Sequence, residues 1–477
     1  MSIEHVRPLD IVDSKRVDFL LINVPSTFKQ GIISDDESPP FGLLRIAQLS
    51  ERSGFKSALL DANKAKLTLS NIDSIIFDIN PKLVGINPTS VNIPEAQSVA
   101  EICHHHNIPL VVGGVHATLD PFVALKKDFP SSYAVVKGKG EIPTLKILRD
   151  YEKKQQIEIN GLYYQTSKST RVDFADYYPI NNLPLNDQRR WVENPLVKKV
   201  VKINGENVEL MEASLYETLG CPFQCTFCAT PAIMDRGHGH KTYYRPQMSR
   251  ILENTKLAID MGANAVHFID DMAFVSAKDF RDYFDGIKNM DLKRNFYWRG
   301  MTRAPIICNC TDEDLKILSN SGCWRIAMGV ESGDESILKR IKKGITLDQV
   351  REAVFRLKKA GIPELKAFFI MGFPDETLDQ IENTRRFIME LKSLGLTQIS
   401  VFQFKPYPRT EEWRYLERTN PEVLKNLYFI KNGNNNNLIE RKISRDASLP
   451  DDLQISKVPS KIVKQIVTET IKEFYGN

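Results

Sequence analysis

The sequence predicts an α/β protein built from two successive parallel-sheet units. Two observations carry this. Short apolar segments alternate with stretches of helical period twice along the chain, before residue 150 and again from about residue 213. Three cysteines, Cys221, Cys225 and Cys228, fall within eight residues just after the first apolar segment of the second run. Short apolar strands separated by helices of about 10–15 residues pair in parallel, because each crossover needs a helix, and the helices then cover the sheet.

In the first run, strands are expected at 17–24, 57–63, 83–87, 109–114 and 133–141, with helices over 39–55 and 93–107. In 39–55 the apolar residues Leu43, Leu44, Ala47 and Leu49 recur at helical spacing. This is the pattern of a doubly wound, Rossmann-like domain over 1–150, whose ligand lies over the carboxyl ends of the strands. Residues 151–205 read as a polar linker with Pro179, Pro184 and Pro195 and a hairpin near 161–166. In the second run, strands are expected at 213–219, 264–270, 296–302, 324–330, 365–371 and 398–404, with helices such as 346–361 between them. Six β/α units within 206–413 make a partial (β/α)6 barrel, and the cysteines sit at its carboxyl end, where parallel barrels carry their chemistry. Residues 414–477 form a small, mainly helical region with a flexible stretch at 432–437 and a terminal helix over 459–475.

Composition narrows the function. At roughly 150 residues per domain, 477 residues make about three domains. Sixty-four basic residues against 60 acidic ones leave a net charge of +4, too small to argue for nucleic acid. No apolar run approaches the roughly 20 residues of a membrane span. The first residues carry scattered charges and no apolar core of a secretory signal. Seven cysteines, an odd number in a long chain, argue against a disulfide framework and for a reducing, cytoplasmic compartment.

Three thiolates in one loop can hold three corners of an iron–sulfur cube. A structural zinc site and an ordinary 4Fe–4S electron carrier both want four ligands. Three leave one iron open for a substrate or cofactor. A zinc site completed by His238 or His240 is the rival reading. Cys308, Cys310 and Cys323 are split over two elements and read as buried thiols.

The stretch YETLGCPFQCTFC (216–228) closely resembles the radical S-adenosylmethionine (radical SAM) superfamily. The resemblance continues over most of 213–413, through HFIDDMAF (267–274), WRGMTRAP (298–305), MGVESGDESILKRIKKGIT (328–346), FFIMGFPDET (368–377) and KPYPRTEEW (405–413). It implies a 4Fe–4S cluster on Cys221, Cys225 and Cys228. It implies S-adenosylmethionine contacts at Phe227, Asp270, Asp271, Glu331 and Gly372. Arg409 stands where the family's Pro-x-Pro-Gly-Thr element has glycine, which puts the local turn in question.

Residues 39–63, 84–90, 111–121 and 135–141 resemble the cobalamin-binding subgroup of that superfamily. The resemblance implies cobalamin contacts at Asn87, Thr89, Ser90, Gly113, Gly114, Val115, His116, Thr118, Gly138, Gly140 and Glu141. The Asp-x-His-x-x-Gly signature of a cobalt-ligating histidine is absent, so cobalamin is expected in a histidine-off state. A domain that has lost cobalamin is the alternative.

For the subgroup the commonest reaction is methylation of an unactivated carbon, here of a small molecule or natural-product precursor. A 5′-deoxyadenosyl radical abstracts hydrogen and methylcobalamin supplies the methyl group. An electron donor such as flavodoxin or ferredoxin is implied. Cyclisation or rearrangement without methyl transfer is the alternative, and an iron–sulfur carrier or sensor is a third class. His267, Arg299, Arg303 and Tyr407 are candidates to contact substrate or to serve structure.

Overall fold

A computed structural model of the chain describes residues 3–10, 17–25, 38–89, 92–153, 162–164, 179–185, 187–234, 243–290, 292, 295–425, 451 and 453–476. It divides into two compact units, one mainly Met1–Pro195 and the other mainly Leu196–Ala232, Lys241–Ser444 and Ser448–Asn477. The stretch expected to be flexible, 432–437, lies outside the described residues, as do Ser90, His238 and His240.

Among the described residues the first unit holds seven strands: β1 (Val6–Arg7), β2 (Phe19–Asn23), β3 (Ser57–Asp61), β4 (Leu83–Ile86), β5 (Leu110–Val112), β6 (Ala134–Val136) and β7 (Leu162–Tyr164). They lie in the order β1-β3-β2-β4-β5-β6-β7. The middle five run parallel, and β1 and β7 close the two edges antiparallel. Leu162–Tyr164, within the stretch expected as a hairpin, thus form an edge strand on β6, and the rest of that stretch lies outside the described residues. The chain leaves β2 toward β3 on one side and returns to β4 on the other. That reversal is the switch point over which such sheets bind ligands.

Helices Phe41–Arg52 and Ile93–His105 lie where their apolar spacing put them. A further helix, Leu69–Ile79, is an addition to the elements read from sequence. It starts on a capping box in which Thr68 and Asn71 satisfy each other's backbone N–H, and it buries Ile72, Ile75, Ile76 and Ile79 along one stripe.

The second unit holds β8 (Leu196–Ile203), β9 (Glu206–Leu215), β10 (Leu219–Gly220), β11 (Tyr243–Tyr244), β12 (Ala265–Phe268), β13 (Tyr297–Thr302), β14 (Cys323–Glu331), β15 (Glu364–Met371) and β16 (Gln398–Gln403). Its large sheet runs β16-β15-β14-β13-β12-β9-β8. Six neighbours, β9 and β12 to β16, are parallel, and the open ends make this a half-barrel. The first strand begins earlier than expected because it is half of a hairpin. Residues 196–203, read as linker, pair antiparallel with β9. Asn204 (φ 52°) and Gly205 (φ 88°) make the turn, and positive φ at both central residues fits the twist of a hairpin.

Four helices of this unit start on the same capping box: Ser276 with Asp279, Thr311 with Asp314, Thr346 with Gln349 and Thr377 with Gln380. Each cap contributes about 1 kcal/mol and fixes where the chain leaves the loop above a strand. The core lies between sheet and helices, around Phe268, Phe274, Phe280, Tyr283 and Trp298. Helix Ser460–Tyr475 packs on the last strand, and the Tyr475 hydroxyl meets both the N–H of Ile399 (3.1 Å) and its carbonyl (3.2 Å). Among the described residues no helix is long and apolar enough to cross a membrane.

Candidate functional site

The cysteine loop leaves the carboxyl end of β9 and β10. It is pinned at its middle. The Thr226 N–H donates to the Ile341 carbonyl (3.0 Å), and its hydroxyl donates to Glu412 Oε1 (2.8 Å). Glu412 in turn accepts from Arg340 Nη2 (2.6 Å). Phe223 stacks under the Arg303 guanidinium at 3.7 Å, and Phe227 meets Phe373 edge-on at 5.7 Å. The three thiols are therefore held by contacts far apart in sequence.

Cys221, Cys225 and Cys228 are all free and half-buried. Burial, with Asp271 and the other two cysteines nearby, pushes the Cys221 thiol up to about 11. Burial also raises Cys228, against the Thr230 N–H, which donates to its sulfur at 3.4 Å. Such thiols give up their protons when a metal arrives to take the charge. Among the described residues no three His, Cys, Asp or Glu side chains converge on a single metal ion. A cube places each sulfur on a different iron, so three thiols gathered in one loop fit that donor set.

The acidic pair divides. Asp270 is fully buried, and its Oδ1 accepts from the Glu217 N–H (2.8 Å), the Thr218 hydroxyl (2.8 Å) and the Thr218 N–H. It shapes the approach to the cysteine loop. Asp271 is exposed and is the carboxylate whose field reaches Cys221 and Cys228, with Thr230 Oγ1 donating to it at 3.0 Å.

Glu331 lies at the end of β14 with φ 73°, at a register irregularity after Gly329. Lys343 Nζ is 2.7 Å from its Oε1. The Arg303 guanidinium donates to the carbonyl of Lys343. Gly372 has φ 89°, and a Cβ there would press on Val463 at 3.1 Å, so glycine is required on two counts. The N–H groups of Gly372 and Phe373 donate to Glu376 Oε2 at 2.5 and 3.0 Å. Burial pushes the Glu376 carboxyl up to about 7 against those two bonds.

The other candidates also have definite places. Arg299 and Arg303 are buried and His267 is half-buried. Burial, with Cys228 nearby, raises the Tyr407 hydroxyl. The thiols of Cys308, Cys310 and Cys323 each donate to a backbone carbonyl, as packed thiols do. Arg409, in the place of the family's glycine, adopts φ 64°. Lys343, Arg340 and Glu412 were not singled out from sequence, because their partners stand on other elements; Glu376 was missed although the N–H groups that it accepts from lie only three and four residues before it.

In the first unit the predicted residues gather at the carboxyl ends of β4, β5 and β6. Two carry buried oxygens with no hydrogen-bond partner among the described residues, Asn87 Oδ1 and Glu141 Oε2. Gly138 (φ 82°) leaves open space where a side chain would stand, and Gly113 has only Val136 at 3.9 Å. Gly114 (φ 84°) lies against the Asn87 backbone, and Gly140 against Ile46. A glycine cradle with unpartnered acceptors fits the polar tail of a bulky ligand.

The remaining members are locally bonded. The Thr118 hydroxyl donates to the Gly114 carbonyl (2.7 Å) and accepts from the Gly138 N–H (3.0 Å). The Thr89 hydroxyl donates to Asn92 Oδ1 at 3.1 Å. His116 is buried with Nε2 2.8 Å from Asp128 Oδ2. Val115 is exposed.

Comparison with known proteins agrees with this layout. Residues 216–388 match the radical SAM superfamily, and residues 34–148 match the B12 binding domain. An uncharacterised methyltransferase of Pyrococcus horikoshii is 28% identical over 418 residues, covering 84% of this chain and 83% of its own. An anaerobic magnesium-protoporphyrin IX monomethyl ester cyclase of Rubrivivax gelatinosus is 22% identical, covering 72% of this chain and 61% of its own. The fold is shared with the radical S-adenosylmethionine methyltransferase TsrM of Kitasatospora setae, solved with cobalamin and a [4Fe-4S] cluster bound. That match has a TM-score of 0.62 at 15% identity and covers 83% of this chain and 77% of TsrM. With a three-cysteine loop at the carboxyl end of a half-barrel, residues 216–388 are a radical SAM domain, and residues 34–148, ahead of them in the chain, are a B12 binding domain.

Proposed function

We propose that the chain methylates an unactivated carbon of a small molecule. The observation that carries this is the gathering of Cys221, Cys225, Cys228 and Asp271 in one electrostatic neighbourhood at the carboxyl end of the half-barrel. When bound, the cluster and S-adenosylmethionine supply a 5′-deoxyadenosyl radical, and the corrin supplies the methyl group. The chain's own task is to place these groups and to exclude side reactions.

Cys221, Cys225 and Cys228 would hold the cluster, which would in turn bind the amino-acid end of S-adenosylmethionine. Asp271 pairs with its ammonium group, while Asp270 keeps the loop in shape. Glu331, held by Lys343, provides a second, fixed carboxylate. Phe227 and Phe373, with Gly372 beside them, form an apolar wall for the adenine. Asn87, Gly113, Gly138 and Glu141 hold the tail of cobalamin. His116, bonded to Asp128 within the protein, supports a histidine-off cofactor. A small soluble electron donor such as flavodoxin or ferredoxin completes the system.

The cyclase relative favours a second reading, ring formation without methyl transfer. Anaerobic reconstitution followed by product analysis separates the two. Methylation predicts about four irons and about one cobalamin per chain, with S-adenosylhomocysteine and 5′-deoxyadenosine both formed during turnover. 5′-Deoxyadenosine without S-adenosylhomocysteine would leave the cyclase reading. Irons without cobalamin would remove the methylation reading.

A further inference from the structure

The cations around the cysteine loop differ in how they are answered. Lys343 Nζ meets Glu331 Oε1 at 2.7 Å, and Arg340 Nη2 meets Glu412 Oε2 at 2.6 Å. Each of these charges has a carboxylate against it. Arg303 has none among the described residues. It follows β13 directly, as the N-cap of helix Ala304–Cys308, and is 5% exposed. One arm of its guanidinium donates to the Lys343 carbonyl. Its Nε is buried and without a hydrogen-bond partner among the described residues. The flat of the guanidinium lies on a ring, its carbon 3.7 Å from the centre of Phe223.

Phe223 lies between Cys221 and Cys225 in the chain. The quadrupole of an aromatic ring holds a cation on its face, more firmly where water is excluded. The contact therefore fixes a positive charge against the cysteine loop itself. A carbonyl and a ring lower the cost of burying a guanidinium but cancel none of its charge. That charge is permanent, since a guanidinium keeps its proton at any working pH. Asp271 acts in the opposite sense. Burial raises the Cys221 and Cys228 thiols, and the Asp271 carboxylate adds to the rise.

We propose that Arg303 sets how readily the cluster that Cys221, Cys225 and Cys228 would hold is reduced. It acts through its charge, as a positioning residue that does not touch the reacting atoms. Reduction moves one electron from a one-electron donor onto the cluster, and no bond is made or broken. The donor is a flavodoxin or ferredoxin in the reading above and titanium(III) citrate in the test, where Ti(III) becomes Ti(IV). The cluster with its thiolates gains one negative charge. A fixed cation favours the form with more negative charge, and net charge is one of the levers on the potential of such clusters. Arg303 thus raises the potential. The assignment rests on the reading of the three cysteines as holders of the cluster.

The test uses the full chain reconstituted anaerobically with iron, sulfide and cobalamin and kept free of S-adenosylmethionine. Titanium(III) citrate reduces the cluster stepwise, and the electron paramagnetic resonance signal of the reduced form gives the midpoint potential. Arg303→Gln and Arg303→Met both remove the charge, and the first keeps a donor for the Lys343 carbonyl. Each is expected to disfavour reduction about tenfold, which for one electron is a fall of about 59 mV. Arg303→Lys keeps the charge and is expected to stay within about threefold of the parent. A purely structural arginine would lower the melting temperature of the variants and leave the potential where it is.

Neutral variants with the parent's potential would overturn the assignment. So would weaker binding of S-adenosylmethionine in variants whose potential has not moved, since Arg303 would then serve the cofactor's carboxylate. Neutral variants that take up no cluster where Arg303→Lys does would overturn it too, because the charge would then serve assembly of the loop. Iron and sulfide content, measured on the same samples, keeps the two readings apart. A parent chain that holds no cluster counts against the cysteine reading and takes this inference with it. A full cluster whose potential ignores residue 303 counts against Arg303 alone.

Discussion

Lys343 Nζ lies 2.7 Å from Glu331 Oε1, with both side chains buried and Glu331 held at φ 73°. A Cβ at Gly329 would stand 2.5 Å from Glu331 Oε1 and 2.8 Å from Lys343 Nζ, so the pair could keep this geometry only beside a glycine and would otherwise have to shift. Removing one partner of such a pair leaves a buried charge. Lys343→Met is therefore expected to cost about 3–5 kcal/mol in denaturant unfolding. The double variant Glu331→Gln/Lys343→Met should recover much of that stability without recovering 5′-deoxyadenosine formation. Recovery of both would show the pair to be structural only.

The two neighbouring aspartates should separate stability from cofactor affinity. Asp270→Ala strands three donors of the loop before the cysteines, and a loss of about 2–4 kcal/mol together with lowered iron content is expected. Asp271→Asn should change stability by no more than about 0.5 kcal/mol. It should instead raise the KM for S-adenosylmethionine about tenfold or more, the cost of losing a charge-assisted partner. Steady-state kinetics and denaturation on the same samples check both.

Glu376 makes stability depend on pH. Its carboxyl is raised from an ordinary 4.5 to about 7, with burial as the largest cause. Between those values the folded chain binds more protons than the unfolded one. The sign follows: this contribution is full below pH 4.5 and is lost as pH rises through about 7. Glu376→Gln removes the titration, so the variant should gain relative to the parent by on the order of 2–3 kcal/mol between pH 5 and pH 8. Unfolding measured across that range reads the difference. Parallel curves for the two proteins would contradict the expectation.

Arg409 is the simplest case. A non-glycine residue at φ 64° carries a steric penalty that glycine escapes. Arg409→Gly is expected to stabilise the chain by about 1 kcal/mol, read as a rise of a few degrees in the melting temperature. An unchanged or lower midpoint would mean that the arginine side chain has a compensating contact.

Much of this was legible in the sequence because it is local. Alternating apolar runs located the parallel strands of both sheets, and i, i+3, i+4 spacing located helices such as Leu347–Lys359 and Ser460–Tyr475. The cysteine loop could be read because its residues lie together. The Asn204-Gly205 turn was readable in principle as a hairpin dipeptide. Its partner strand, Leu196–Ile203, is edge-on to solvent and carries three lysines, so it lacked the apolar signal of the others. The tie from Thr226 through Glu412 to Arg340 and the pair Glu331–Lys343 join separate elements, and no periodicity announces them. In β14 an extra residue turns Trp324 and Arg325 to one face, a feature of strand register that only the paired sheet defines.

The contact of Tyr475 with both backbone groups of Ile399 bears on how the chain can be handled. A half-barrel ends in strands whose outer N–H and C=O groups are open to another copy of the same chain. Here a single phenol occupies one such pair of groups, and the helix that carries it lies along the strand. Replacing Tyr475 by alanine would bare that pair of groups and invite strand pairing between molecules.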